Sequence, residues 1–104
     1  MRNYKLCFQE THNACLPYLR TFLQRWLPDG KVVGNEYVAK NPTRNDQRKG
    51  SFKVNLNTGK WADFATGDAG STIVSLAAYL SGQSHYEAAK SLLSAISEEE
   101  SYYV

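Results

Sequence analysis

Ser51-Phe52-Lys53-Val54-Asn55-Leu56-Asn57-Thr58-Gly59-Lys60-Trp61-Ala62-Asp63-Phe64 has the pattern of two short strands around a tight turn. Phe52, Val54 and Leu56 alternate with Lys53 and Asn55, the period of two that turns one strand face to a core and the other to water. Asn57-Thr58-Gly59 is turn chemistry, with Gly59 able to take a positive φ, and a second short strand follows from Lys60 to Phe64. The stretch therefore predicts an antiparallel hairpin in which Ser51, Lys53 and Asn55 share the face opposite Phe52. Upstream, Val33, Tyr37 and Val38 supply a first strand region, while Asn41 to Gly50, NPTRNDQRKG, has no period and reads as an exposed basic loop.

On either side of this region the period lengthens to that of a helix. Leu16, Leu19, Phe22, Leu23, Trp26 and Leu27 form one apolar stripe and predict a helix over 13–27. Pro17 is tolerated there only in a first turn, and Pro28-Asp29-Gly30 ends the helix. Thr66-Gly67-Asp68-Ala69-Gly70 is a second turn cluster, ahead of Ile73, Val74, Leu76, Ala77 and Leu80, which fit a buried helix closed by Gly82. Ser84 and Glu87 have capping-box spacing for a last helix, whose face is Ala88, Ala89, Leu92, Leu93 and Ile96 and whose end is expected near Ser97. Residues 98–104 read as a frayed acidic tail. The expected fold is α+β over residues 1–97: an N-terminal helix, a small antiparallel sheet of three or four strands, and two C-terminal helices.

With 104 residues the chain has material for one modest core and no separate substrate and cofactor domains. No apolar run reaches the roughly 18 to 20 residues of a membrane span, and the opening residues lack a signal-peptide hydrophobic region. Cys7 and Cys15 are too few for a disulfide scaffold or a four-thiolate zinc site, and reduced thiols suit a reducing compartment. A cytoplasmic protein without membrane partner or cofactor is expected. Residues 1–30 carry four basic and two acidic side chains, 31–61 seven and two, and 62–104 one and six, so the net charge of +2 conceals a basic middle and an acidic end. Such asymmetry points to a polyanionic partner for the middle.

Arg44, Arg48, Lys49, Lys53 and Lys60 surround a hairpin region that also holds Tyr37, Phe52, Trp61 and Phe64. Cations attract phosphates and aromatic faces stack on unpaired bases, the combination by which sheet proteins bind single strands. The candidate nucleic-acid contacts are those five cations with Trp61 as the stacking ring. The plainer alternative makes Phe52, Trp61 and Phe64 core and the cations mere solubilisers. Thr66 to Thr72 lacks the Gly-Lys-Ser/Thr ending of a phosphate-binding loop and reads as an ordinary strand-to-helix turn. His12 and His85 form no nucleophilic constellation, and carboxylates cluster only in the tail, so no catalytic residue is nominated and the chain is read as noncatalytic.

The runs Gly34-Asn35-Glu36-Tyr37-Val38-Ala39-Lys40-Asn41-Pro42-Thr43-Arg44, Gly50 to Leu56, Lys60 to Asp68 and Val74 to Leu80 together resemble the N-terminal zinc-ribbon-like domain of phage and plasmid DNA primases and primase-helicases, over about residues 30–96. The resemblance lies in the order of loop motif, Ser-Phe-x-Val strand, aromatic strand, Gly-rich turn and helix. It implies a module that helps recognise single-stranded template. Zinc-bearing members have Cys-Pro-x-His before the Ser-Phe strand and Cys-x-x-Cys after the second; Asn41, Arg44, Asp63 and Thr66 stand at the matching positions. None is a thiolate or imidazole, so no zinc is expected. An Asp63–Arg44 ion pair, with Asn41 and Thr66 bonding to local amides, is one way to hold the knuckles; packing and turn capping alone is the other. The function this implies is noncatalytic binding of single-stranded DNA in phage- or plasmid-type replication, beside a helicase, primase or polymerase. The alternatives are a protein-interaction adaptor of such a partner or a detached fragment of a primase.

Overall fold

The computed structural model describes residues 7–43 and 51–102, with side chains in the last helix up to Glu98. Its centre is a five-stranded antiparallel sheet in sequential order: β1 (Lys31–Val33), β2 (Glu36–Ala39), β3 (Phe52–Asn55), β4 (Trp61–Asp63) and β5 (Ala69–Gly70). The region expected as one strand around Val33 to Val38 is two, because Gly34 takes φ 62° and, with Asn35, folds β1 directly back on β2. The predicted hairpin is present, pairing Val54 with Trp61. Asn55 organises its turn: Oδ1 accepts from the amides of Asn57 (2.8 Å) and Thr58 (3.0 Å), and Gly59 takes φ 80°.

Alternation then sorts the sheet. Tyr37, Ala39, Phe52, Val54, Trp61 and Asp63 are buried on one face, while Glu36, Val38, Lys53, Asn55 and Ala62 lie half-buried on the other. The buried face receives the helices. α3 (Ile73–Ser81) lays Tyr79 against Phe52 and Trp61, with ring centroids 6.1 and 4.6 Å apart, and Trp61 Nε1 donates to Ser75 Oγ at 2.9 Å. α4 (His85–Tyr102) packs against α3 and the N-terminal helical segment and buries Ala88, Ala89, Leu92 and Ile96. Leu93, expected in that face, is 36% exposed; Leu92 takes the inward position. α4 also continues beyond the expected end at Ser97, since three consecutive glutamates are good helix formers and contain no stop signal.

The N-terminal helix begins earlier than the apolar stripe. α1 (Phe8–Cys15) leads through a 3₁₀ turn, Leu16–Tyr18, into α2 (Leu19–Trp26). Pro17 is therefore within the helical segment, not in its first turn, and the tighter turn accommodates a residue without an amide hydrogen. The start at Phe8 is invisible to hydrophobic periodicity because the buried residues of α1 are Thr11, His12 and Cys15. Cys15 is fully enclosed and its thiol is pushed up to about 11 by burial, which makes it an inert packing residue. Leu27 leaves helical geometry before Pro28, as the proline ring requires, and Tyr37 Oη donates to its carbonyl at 2.7 Å.

α3 starts on a capping box, a device expected only at the next helix. Thr72 Oγ1 accepts from the Ser75 amide at 3.0 Å and the Ser75 hydroxyl accepts from the Thr72 amide. Gly82 ends it at φ 72°, as expected, and Ser84 Oγ accepts from the Glu87 amide at 3.1 Å. His12 Nδ1 accepts from the Ile73 amide at 2.9 Å, tying α1 to the first residue of α3. A backbone hydrogen bond also joins His12 to Thr58, and a Cβ on Gly59 would meet its ring at 2.8 Å. One buried imidazole thus locks helix α1, the hairpin turn and helix α3 together.

Candidate nucleic-acid interface

The strand register builds the open face of the sheet in two rows. Lys31, Val38, Lys53, Ala62 and Ala69 are successive cross-strand partners, and beside them run Val33, Glu36 and Asn55. Lys60 follows at the hairpin end, where its carbonyl accepts from the Asn55 amide at 2.7 Å. Phe64 continues the parity of Ala62 beyond β4 and is 70% exposed; Lys53 Nζ lies 5.5 Å from its ring centroid. The short side chain of Ala62 leaves a depression of about 200 Å³ bounded by Glu36, Lys53, Asn55, Lys60, Trp61, Ala62 and Phe64. That is below the roughly 300–1,000 Å³ of small-molecule sites and is of a size for one flat group.

Of the six residues nominated from sequence, Lys53 and Lys60 share this face and Trp61 forms only part of its floor. Trp61 is 6% exposed, covered by Gly70 and Tyr79 and hydrogen-bonded to Ser75. Its ring is a core element, and the expectation that it stacks on a base is corrected. The reason is parity: Trp61 and Asp63 point inward, so Ala62 and Phe64 point outward. Phe64, counted among the core candidates in the plainer sequence alternative, is the aromatic offered to solvent. Arg44, Arg48 and Lys49 lie outside the described residues, in the connection between β2 and β3.

The positions that carry zinc ligands in the resembling domains hold a polar cross-link. Asn41 and Asp63 are both buried, and Asn41 Nδ2 donates to Asp63 Oδ2 at 2.7 Å and to Tyr79 Oη at 2.8 Å. Asn41 Oδ1 accepts from the Thr43 amide at 2.9 Å and from the Thr43 hydroxyl at 2.7 Å, so this amide uses its full hydrogen-bonding capacity. Asp63 Oδ1 accepts from the Ala65 amide and Thr66 Oγ1 from the Asp68 amide, while Tyr79 Oη donates to Asp68. The expected local bonding of Asn41 and Thr66 to amides is present; the Asp63–Arg44 ion pair lies outside the described residues. Among the described residues no three His, Cys, Asp or Glu side chains gather as a metal site.

The turn before α3 behaves as a turn. Its helix N-terminus directs the Ile73 amide to His12 and the Ser75 amide to Thr72. Elsewhere, Phe22 and Trp26, with rings stacked at 5.2 Å, wall an apolar groove of about 370 Å³ between α2, α3 and α4. No described helix is long and apolar enough to cross a membrane. No family model, curated protein or solved structure matches the chain.

Proposed function

We propose that this chain is a noncatalytic module that binds single-stranded DNA across the open face of its sheet, in phage- or plasmid-type replication. The observation that carries the reading is Phe64, an aromatic ring held out to solvent on a face that also presents Lys31, Lys53 and Lys60. An exposed phenyl ring is unfavourable in water and is useful where a base stacks on it, and the neighbouring ammonium groups meet phosphates. Arg44, Arg48 and Lys49 extend the positive charge of the same chain segment. The replication setting rests on the resemblance in the sequence. A cytoplasmic location is proposed on the same basis as the reduced cysteines, Cys7 and Cys15, both free.

The test is titration of the protein against fluorescent oligo-dT, duplex DNA and RNA over a range of salt. Affinity for the single strand is expected to fall with salt at a logarithmic slope of about −0.7 for each phosphate neutralised. Absence of salt-sensitive binding to any nucleic acid at micromolar concentration overturns the reading. An adaptor for a replication helicase, primase or polymerase then leads, favoured by the apolar groove beside Phe22 and Trp26.

A further inference from the structure

The open face contains one residue that phosphate binding does not explain. Glu36 stands on β2 directly opposite Asn55 on β3, and both line the depression beside Phe64. A carboxylate there opposes the attraction of Lys53 and Lys60, which line the same depression, for DNA. Asn55 is equally specific in its orientation. The hairpin turn occupies Oδ1 with two amides, so Nδ2 is the half of the side chain left to a ligand. Cross-strand neighbours on one face hold their Cβ atoms about 4.5–5.5 Å apart. The depression therefore has a stacking ring, a two-oxygen acceptor and a fixed donor next to one another.

From this juxtaposition we infer that the Glu36–Asn55 pair makes the face prefer guanine, stacked on Phe64, over the other bases of a single strand. Among the four DNA bases, guanine alone has two adjacent N–H donors on its pairing edge, at N1 and N2, and these match one carboxylate in bidentate fashion; its O6 accepts from an amide N–H beside them. Adenine and cytosine set a ring-nitrogen acceptor next to their amino group, and thymine flanks its single N–H with two carbonyls, so each brings a lone pair against the carboxylate. The inference rests on the proposed single-strand binding and adds base selectivity to it. Unstacked bases of a flexible strand expose the required edge.

The experiment compares twelve-nucleotide (TTG)₄, (TTC)₄, (TTA)₄ and T₁₂ by fluorescence anisotropy in lithium chloride, which disfavours guanine quartets. (TTG)₄ is expected to bind about fivefold or more tighter than T₁₂, the lower end of discrimination by a bidentate contact. Replacing guanine with hypoxanthine, which lacks the N2 amino group, is expected to remove most of that advantage. Glu36→Gln is expected to abolish it while T₁₂ binds as well or better, with an unchanged circular dichroism spectrum. Equal, salt-sensitive binding of all four strands overturns the guanine inference and leaves single-strand binding standing. A cytosine or adenine preference, or a guanine advantage that survives in Glu36→Gln, overturns it too. Binding of none of the strands overturns both.

Discussion

The two faces of one sheet differ by a single residue of phase. Across β3 and β4, Phe52, Val54, Trp61 and Asp63 are enclosed, while Lys53, Asn55 and Ala62, one position along, face outward. The inner face is held by shape and satisfied polar groups. The outer face holds charge, a small residue and an exposed ring. Trp61 and Phe64 illustrate the difference: the larger ring, the more attractive base-stacking candidate by chemistry, is the one that the fold consumes.

Truncating each of the two rings separates the faces by stability and by binding. Trp61→Ala removes a buried ring and the hydrogen bond to Ser75, and is expected to destabilise the domain by about 3–5 kcal/mol in urea melts. Phe64→Ala is expected to leave the melt nearly unchanged and to weaken single-strand binding by about 1–3 kcal/mol. The opposite pattern, a tolerant Trp61 and an unfolding Phe64, means that the two faces are interchanged.

A second contrast lies on the helices that cover the inner face. Leu76 is completely buried and Leu93 is 36% exposed, so Leu76→Ala is expected to cost about 2–5 kcal/mol and Leu93→Ala far less. Equal losses in the same melts contradict the phase of α4. Next in size is the polar cross-link under the sheet edge. Asn41→Ala strips a hydrogen bond from the buried Asp63 carboxylate and another from Tyr79, an expected loss of about 1–3 kcal/mol. Asn41→Asp, which sets two carboxylates together, is expected to lose more, and a stable Asn41→Asp protein speaks against this geometry.

The smallest effect concerns pH. Burial holds the His12 imidazole below its ordinary value of 6.5, against the opposing backbone hydrogen bond with Thr58. The folded state therefore favours the neutral ring, whose Nδ1 accepts from Ile73. Its contribution is complete above 6.5, where the ring is neutral in folded and unfolded chains alike. It declines as the pH falls below the unfolded value and levels off below the folded one. Urea melts across that window, with the His12 ring followed by NMR, check the sign; an imidazole titrating above 6.5 in the folded protein contradicts it.

Much of this architecture was legible because the signals are local. The hairpin turn followed from Asn57-Thr58-Gly59 and the alternation of Phe52 to Asn55; the closure of α3 followed from Gly82, which reaches positive φ without a steric penalty. The split of β1 from β2 is also written locally, in Gly34-Asn35, but the apolar run of Val33, Tyr37 and Val38 masks it. The parity that places Phe64 outside was equally available, since Trp61 and Phe64 are an odd number of residues apart.

The local pattern of side chains and turn residues determined the α+β fold class, the central hairpin and the assignment of Lys53 and Asn55 to the face opposite Phe52. Long-range packing set the start of α1 at Phe8, the burial of His12 as an acceptor, the meeting of Asn41 and Asp63 across 22 positions, and the exposure of Phe64 beside Lys53 and Glu36. Periodicity records which way a side chain points from its own backbone. What waits there, an amide from 61 residues away or open water, depends on segments brought together only when the helices close over one side of the sheet.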